Sequence, residues 1–139
     1  MQYNYGGMFG PISVQVTVPT ASILALNTTP VVLVPAQGAG SIVKIDDIVA
    51  KLVFNTIAYT GANALEFRYT DGSGAKVSAD IANTFINSAS GTNYASLKGV
   101  ATLLTPVANA AVVVVVPTAN PGAGNSDIIF TVRYHVITP

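Results

Sequence analysis

Apolar residues recur at every second position in several separate stretches of this chain. From Ile12 to Val18, Ile12, Val14, Val16 and Val18 fall on one side, and Ser13, Gln15 and Thr17 on the other. That period predicts a half-buried β-strand, ended by Pro19. Leu65 to Thr70 alternates as strictly, with Leu65, Phe67 and Tyr69 opposite Glu66 and Arg68. Asp127 to Thr138 reads as the final strand, and its predicted core face is Ile128, Phe130, Val132, Tyr134 and Val136. The longest strand region is Ser41 to Asn55. Its second half alternates through Ile48, Ala50, Leu52 and Phe54, while Asp46-Asp47 interrupts the first half as a bend or bulge.

Shorter elements lie between. Thr20 to Leu26 suits one or two helical turns, with Thr20 or Ser22 as the cap. Pro30 to Val34 is a short apolar strand. Asp71-Gly-Ser-Gly is a turn that leads into a return strand, Ala75 to Val77. Ser78 through about Asn87 is expected to form a short helix, with Ile81 and Phe85 on its buried stripe. Ala95 to Leu104 is a less regular strand with Gly99 at a bulge. Ala110 to Val116 does not alternate at all and carries five valines in succession. Such a run needs cover on both faces, from within the chain or from a neighbouring subunit. Val112, Val114 and Val116 are therefore candidate subunit-interface residues.

The sum is seven or eight strands separated by turn signals, with two short helical inserts. This predicts an all-β chain: an antiparallel β-sandwich of jelly-roll-like form. No βαβ alternation is present, which argues against a nucleotide-binding α/β fold. The sandwich is expected over residues 12–139. Residues 1–11 differ in kind: Tyr3, Tyr5, Met8 and Phe9 are interleaved with Gly6, Gly7 and Gly10. Glycines give freedom and aromatics give contact area, which suits an arm that docks on a neighbouring subunit. The segment has neither a basic stretch nor an apolar core and is not expected to be a signal peptide.

Composition sharpens this picture. Half of the chain is hydrophobic, only 9% is charged, and the net charge is zero. About 25% charged is usual. A neutral, charge-poor surface favours association. The charges are also unevenly placed, with none in residues 1–43 or 99–126. Those stretches are where neighbours are expected to cover the surface. The basic residues are scattered, and no cluster suited to neutralising phosphates exists, so no nucleic-acid partner is expected. The longest purely apolar run, Ala110 to Val116, is far shorter than the roughly 20 residues of a membrane-spanning helix. No membrane partner is expected.

Candidate chemistry is sparse. With no cysteine, disulfides, thiolate nucleophiles and zinc-thiolate sites are excluded. The single histidine, His135, shares a strand face with Arg133, and no Gly-x-Ser-x-Gly elbow accompanies it. A surface or interface role is expected for it. Asp71-Gly-Ser-Gly lacks the further oxygen ligands of a calcium loop. Asp46 and Asp47 read as exposed acids beside a bend. Glu66 and Arg68, two apart on one strand face, suit an ion pair better than the carboxylate pair of a glycosidase. No catalytic, metal or cofactor site is assigned, and no enzymatic activity is expected.

Three stretches carry a family resemblance: Ile23-Leu-Ala-Leu-Asn-Thr-Thr-Pro-Val-Val-Leu-Val-Pro-Ala-Gln-Gly-Ala-Gly, Leu65-Glu-Phe-Arg-Tyr-Thr-Asp-Gly-Ser-Gly-Ala-Lys-Val-Ser-Ala-Asp-Ile, and Val132-Arg-Tyr-His-Val. From about Ile12 to Val136 the chain resembles small virion structural proteins of tailed bacteriophages, above all the capsid decoration, or cement, proteins. The resemblance implies a β-sandwich or jelly roll that forms a homotrimer on the outer surface of the head. It also implies that the major capsid protein is a partner, its neighbouring subunits being stapled together. The arm of Tyr3, Tyr5, Met8 and Phe9 is not part of that shared core. A second reading is a tail- or fibre-associated module that recognises a host surface glycan or protein. It predicts a polar, aromatic-rimmed concavity built from residues 59–63, 88–94 and 120–125.

Overall fold

The computed structural model describes residues 10–100 and 105–138. The predicted arm residues Tyr3, Tyr5, Met8 and Phe9 lie outside the described residues. The elements run β1 (Ile12–Val18), α1 (Thr20–Ile23), β2 (Val31–Val34), β3 (Ile42–Val53), β4 (Tyr59–Thr60), β5 (Glu66–Tyr69), α2 (Asn83–Ile86), β6 (Asn93–Lys98), β7 (Val112–Val115), β8 (Gly122–Ala123) and β9 (Asp127–Ile137). Every strand pairing is antiparallel.

Two sheets make the sandwich. One has the order β1-β9-β3-β6 and the other β2-β7-β5, with β4 and β8 forming a small separate pair. The return strand predicted after the Asp71 turn adds a bridge, Arg68 to Lys76, beside β5. The chain thus crosses repeatedly between sheets, so most connections span the edge of the sandwich. The core lies between the sheets. Phe130 from β9 and Phe67 from β5 meet there edge to face, with ring centroids 5.8 Å apart. Ile128, Phe130, Val132, Tyr134 and Val136 are all buried, as the alternation in β9 predicts.

The bulge in β3 falls where the Asp46-Asp47 interruption placed it. Ile45 pairs with Tyr134 and Asp47 with Arg133, so Asp46 is the extra residue. The inward set changes phase there, from Val43 and Ile45 to Ile48, Ala50 and Leu52. Gly99 makes the same spot possible from the neighbouring strand. Its backbone N–H donates to the Asp46 carbonyl at 2.9 Å. A Cβ at Gly99 would stand 1.8 Å from the Ile45 carbonyl oxygen.

Three sequence expectations are corrected. The helix expected from Ser78 is confined to Asn83–Ile86. Residues 78–81 are extended instead, because Ser78 bridges Gly99 and Ile81 bridges Leu65. Neither Thr20 nor Ser22 caps α1: Pro19 stands at the cap, and the Thr20 N–H donates to the Asp127 carboxylate at 3.0 Å. The valine run is covered from within the chain. Val112, Val114 and Val116 point into the core with no exposed surface, so their side chains offer no interface to another subunit. Val113 and Val115, on the opposite face, are buried too. Arg68 is the cross-strand neighbour of Val113, and the Gly72 turn lies against Val115.

The crowding at Gly99 gives a direct test. Gly99→Ala is expected to lower unfolding stability by about 2–3 kcal/mol, because backbone rather than a flexible side chain must give way. Urea denaturation followed by circular dichroism measures it, and a change below about 0.5 kcal/mol would contradict the packing described.

Candidate interaction surface

The exterior is built from the outward positions of the two sheets, and its charges are mostly spent on one another. On the β2-β7-β5 sheet, Glu66 is the centre of a cluster. Arg68 donates from Nε to Glu66 Oε2 at 2.7 Å, and Lys76 lies 3.0 Å from Oε1. Lys76 also pairs with Asp80 at 2.8 Å, and Arg68 donates to the Gly74 carbonyl at 2.6 Å. The sequence placed Glu66 and Arg68 on one face. Lys76 joins them only because the hairpin folds back. Burial pushes the Glu66 carboxyl up, but hydrogen bonds and charge from Lys76 and Arg68 outweigh it and hold the carboxyl below its usual 4.5.

A second charged group rims the β3 bulge on the other sheet. Asp46 takes Lys44 at 3.1 Å and faces His135 Nδ1 at 2.6 Å, while Asp47 takes Arg133 at 2.6 Å. The bulge causes this grouping, since it turns two successive acids outward against cations on β9 and β3. His135 therefore sits in a surface ion cluster, with Asp46 as its acidic neighbour. The remaining acids serve backbone. Asp71 accepts from the Ser73 N–H and hydroxyl in its own turn, and Asp127 holds the start of α1.

Beyond the bulge cluster, the outer face of β1-β9-β3-β6 carries few charges, with a recess of about 220 Å³ lined by Asp47, Val49, Ser96, Leu97 and Lys98. Gln15, Thr131, Val49 and Ser96 form one cross-strand row. Thr17, Ile129, Lys51 and Tyr94 form the next, with the Lys51 ammonium 5.7 Å from the Tyr94 ring centre. Val49, Val53 and Tyr94 are exposed here. This is the neutral surface that the composition calls for, although it lies partly on charged strands rather than only in residues 1–43 and 99–126.

Of the loops expected to form a binding concavity, residues 88–94 contribute Asn93 and Tyr94 to a groove beside α2, but the other two use polar groups inward. Asn120 Oδ1 accepts from the Asn27 and Thr28 N–H groups. Asn125 Oδ1 accepts from those of Thr56 and Ile57. Tyr59 is buried, and its hydroxyl donates to the Ser126 carbonyl. These side chains tie loops together instead of rimming a pocket. Among the described residues no group of three or more His, Asp or Glu side chains gathers as a metal site would require.

The fold and surface define a class: an all-β sandwich whose charges are largely internally balanced. A solved chain from the structure titled "Cyanophage Pam1 capsid asymmetric unit" is similar to this chain, with a TM-score of 0.51 at 16% identity. The match covers 99% of this chain and 89% of that one, and the likeness is one of fold. No family model and no curated protein matches the chain.

The Glu66 cluster has a pH signature. Glu66→Gln leaves Arg68 and Lys76 facing one another, and is expected to cost about 2 kcal/mol at pH 7. A carboxyl held below its unfolded value stabilises the fold above that value, and the contribution fades as pH falls through the folded one. The gap between wild type and variant should therefore be full above about pH 5 and narrow as the solution is acidified below 4.5. Denaturation midpoints across pH 3–7 check this, and a gap that does not change with pH would contradict it.

Proposed function

We propose that this protein is a structural component of a virion: a decoration, or cement, protein that trimerises on the outer capsid surface and staples neighbouring major capsid subunits. One observation carries the reading. The chain-wide fold likeness to a chain of a phage capsid is joined to an exterior whose charges are mostly paired off within the chain. The strand order supports it further. With β4 and β8 set aside and the residue-76 strand added, the sheets read as the two interleaved Greek keys of a jelly roll. A cement protein needs stiff scaffolding, large neutral contact faces and an arm, and it needs no catalytic centre.

In this reading Tyr3, Tyr5, Met8 and Phe9 grip the major capsid protein or a neighbouring copy. The face around Val49 and Thr131 takes the place that the valine strand was expected to fill, since interface cores are depleted of charge. The tail or fibre alternative is less favoured, because the Asn120 and Asn125 side chains are committed to backbone.

Purified protein is expected to sediment as a species of three chains and to saturate decoration-free heads. Removing residues 1–10 should abolish addition to heads while leaving the circular dichroism spectrum unchanged. A monodisperse 14.2 kDa species that never adds to heads would overturn the proposal.

A further inference from the structure

A groove of about 320 Å³ opens between α2 and the outer edge of β6. Ile81, Ala82, Phe85, Tyr94 and Ala95 line it together with the uncharged polar Thr84 and Asn93, and none of these lining residues is charged. Tyr94 at its rim is 67% exposed, the most uncovered large apolar side chain among the described residues. The groove also borders a sheet edge: among the described residues β6 is the last strand of its sheet and pairs with β3, with a bridge from Ser78 only at Gly99 beyond its end. An open edge next to an uncharged, partly apolar slot is suited to an extended segment that brings one or two large apolar side chains. At this size two such side chains fit better than a drug-sized ligand.

We infer that this groove receives the Met8–Phe9 end of the N-terminal segment of a second copy of the chain. The inference rests on the self-association proposed above and names where it happens. Met8 and Phe9 are apolar and stand in a stretch of 43 residues with no charge, matching the uncharged groove. They also stand close to the start of β1, so seating them orders little chain.

For Met8 and Phe9, chain length argues against the same copy. Thr17, Ile129, Lys51 and Tyr94 lie level across the sheet. The crossing from β1 to β6 spans three strand spacings, about 14 Å. Ile12 lies a further five residues along β1, about 17 Å. The straight distance from Ile12 to Tyr94 is thus about 22 Å. Fully extended, Met8 reaches only about 14 Å from Ile12, and Phe9 about 10 Å. Neither reaches its own groove, so the occupant comes from another copy.

The absence of cysteine makes a clean test possible. Full-length Phe9→Cys protein is mixed with size-tagged, full-length Ala82→Cys protein under mild oxidation. Ala82 is exposed, so the substitution leaves the core intact. The mixed disulfide is expected at least ten times more strongly than with Thr17→Cys, a control on the opposite edge strand. Separately, Ala82→Arg fills the groove with a charge and should weaken self-association at least tenfold in sedimentation. Cross-linking no better than the control, or Ala82→Arg that associates like wild type, overturns the inference. Those outcomes leave the virion reading standing if the same proteins still add to heads. Failure of wild-type protein to add to heads sinks that reading whatever the cross-link shows.

Discussion

The structure depends on closing two sheets over one apolar layer. β9 and β7 are the strands on which that closure turns. β9 pairs with β1 along one side and with β3 along the other, almost from end to end. β7 does the same between β2 and β5. Their inward side chains meet the layer from opposite sides, and Phe67 against Phe130 fixes how the sheets face. Burial of a large apolar side chain contributes roughly 1.5–3 kcal/mol, and this layer contains many of them. Surface ion pairs, worth at most about 1 kcal/mol each, are minor beside that. The fold can therefore leave most of its surface uncharged without losing the source of its stability.

What charge remains is placed where the sheet geometry is irregular. The β3 bulge would expose two acids side by side, and Lys44, Arg133 and His135 gather on them. The hairpin after β5 brings Lys76 onto Glu66, which also pairs with Arg68, the cross-strand neighbour of Val113 on β7. Each group repairs a local problem of the chain. The charges act first as internal fastenings and only secondarily as surface.

This division explains what was legible in the sequence. The core face of β9 could be read residue by residue, because a two-residue period needs no knowledge of partners. The bulge was legible for the same reason: Asp46-Asp47 breaks a pattern that resumes one residue out of phase. Residues 78–81 misled, since their spacing fits a helix while their backbone bonds come from Leu65 and Gly99. The cap of α1 was hidden because Asp127 is more than a hundred residues away in sequence. The valine strand was the most instructive. Its lack of alternation correctly announced cover on both faces, but nothing local could say that the Arg68 strand and the Gly72 turn lie on the outer side. A subunit interface was the other solution to the same constraint. The candidate surface was visible only once register placed Gln15, Thr131, Val49 and Ser96 in one row, since these residues come from four distant segments.

Internal pairing of charge also has a consequence for assembly. In a cyclic oligomer every exposed charge is repeated by the symmetry, and like charges near an axis face one another. A surface on which Lys44, Arg68, Lys76 and Arg133 are already paired within the chain carries less of that penalty. It also avoids the cost of stripping water from lone ions when faces meet. The rows around Val49 and Thr131 can be covered by another protein with little polar loss, because their backbone is already satisfied by the sheet. The same neutrality removes long-range steering, so association would depend on contact area and on chain segments that hold a neighbour once it is found. A chain built this way gains most from a short apolar extension placed beside its first strand, and residues 1–10 have that composition.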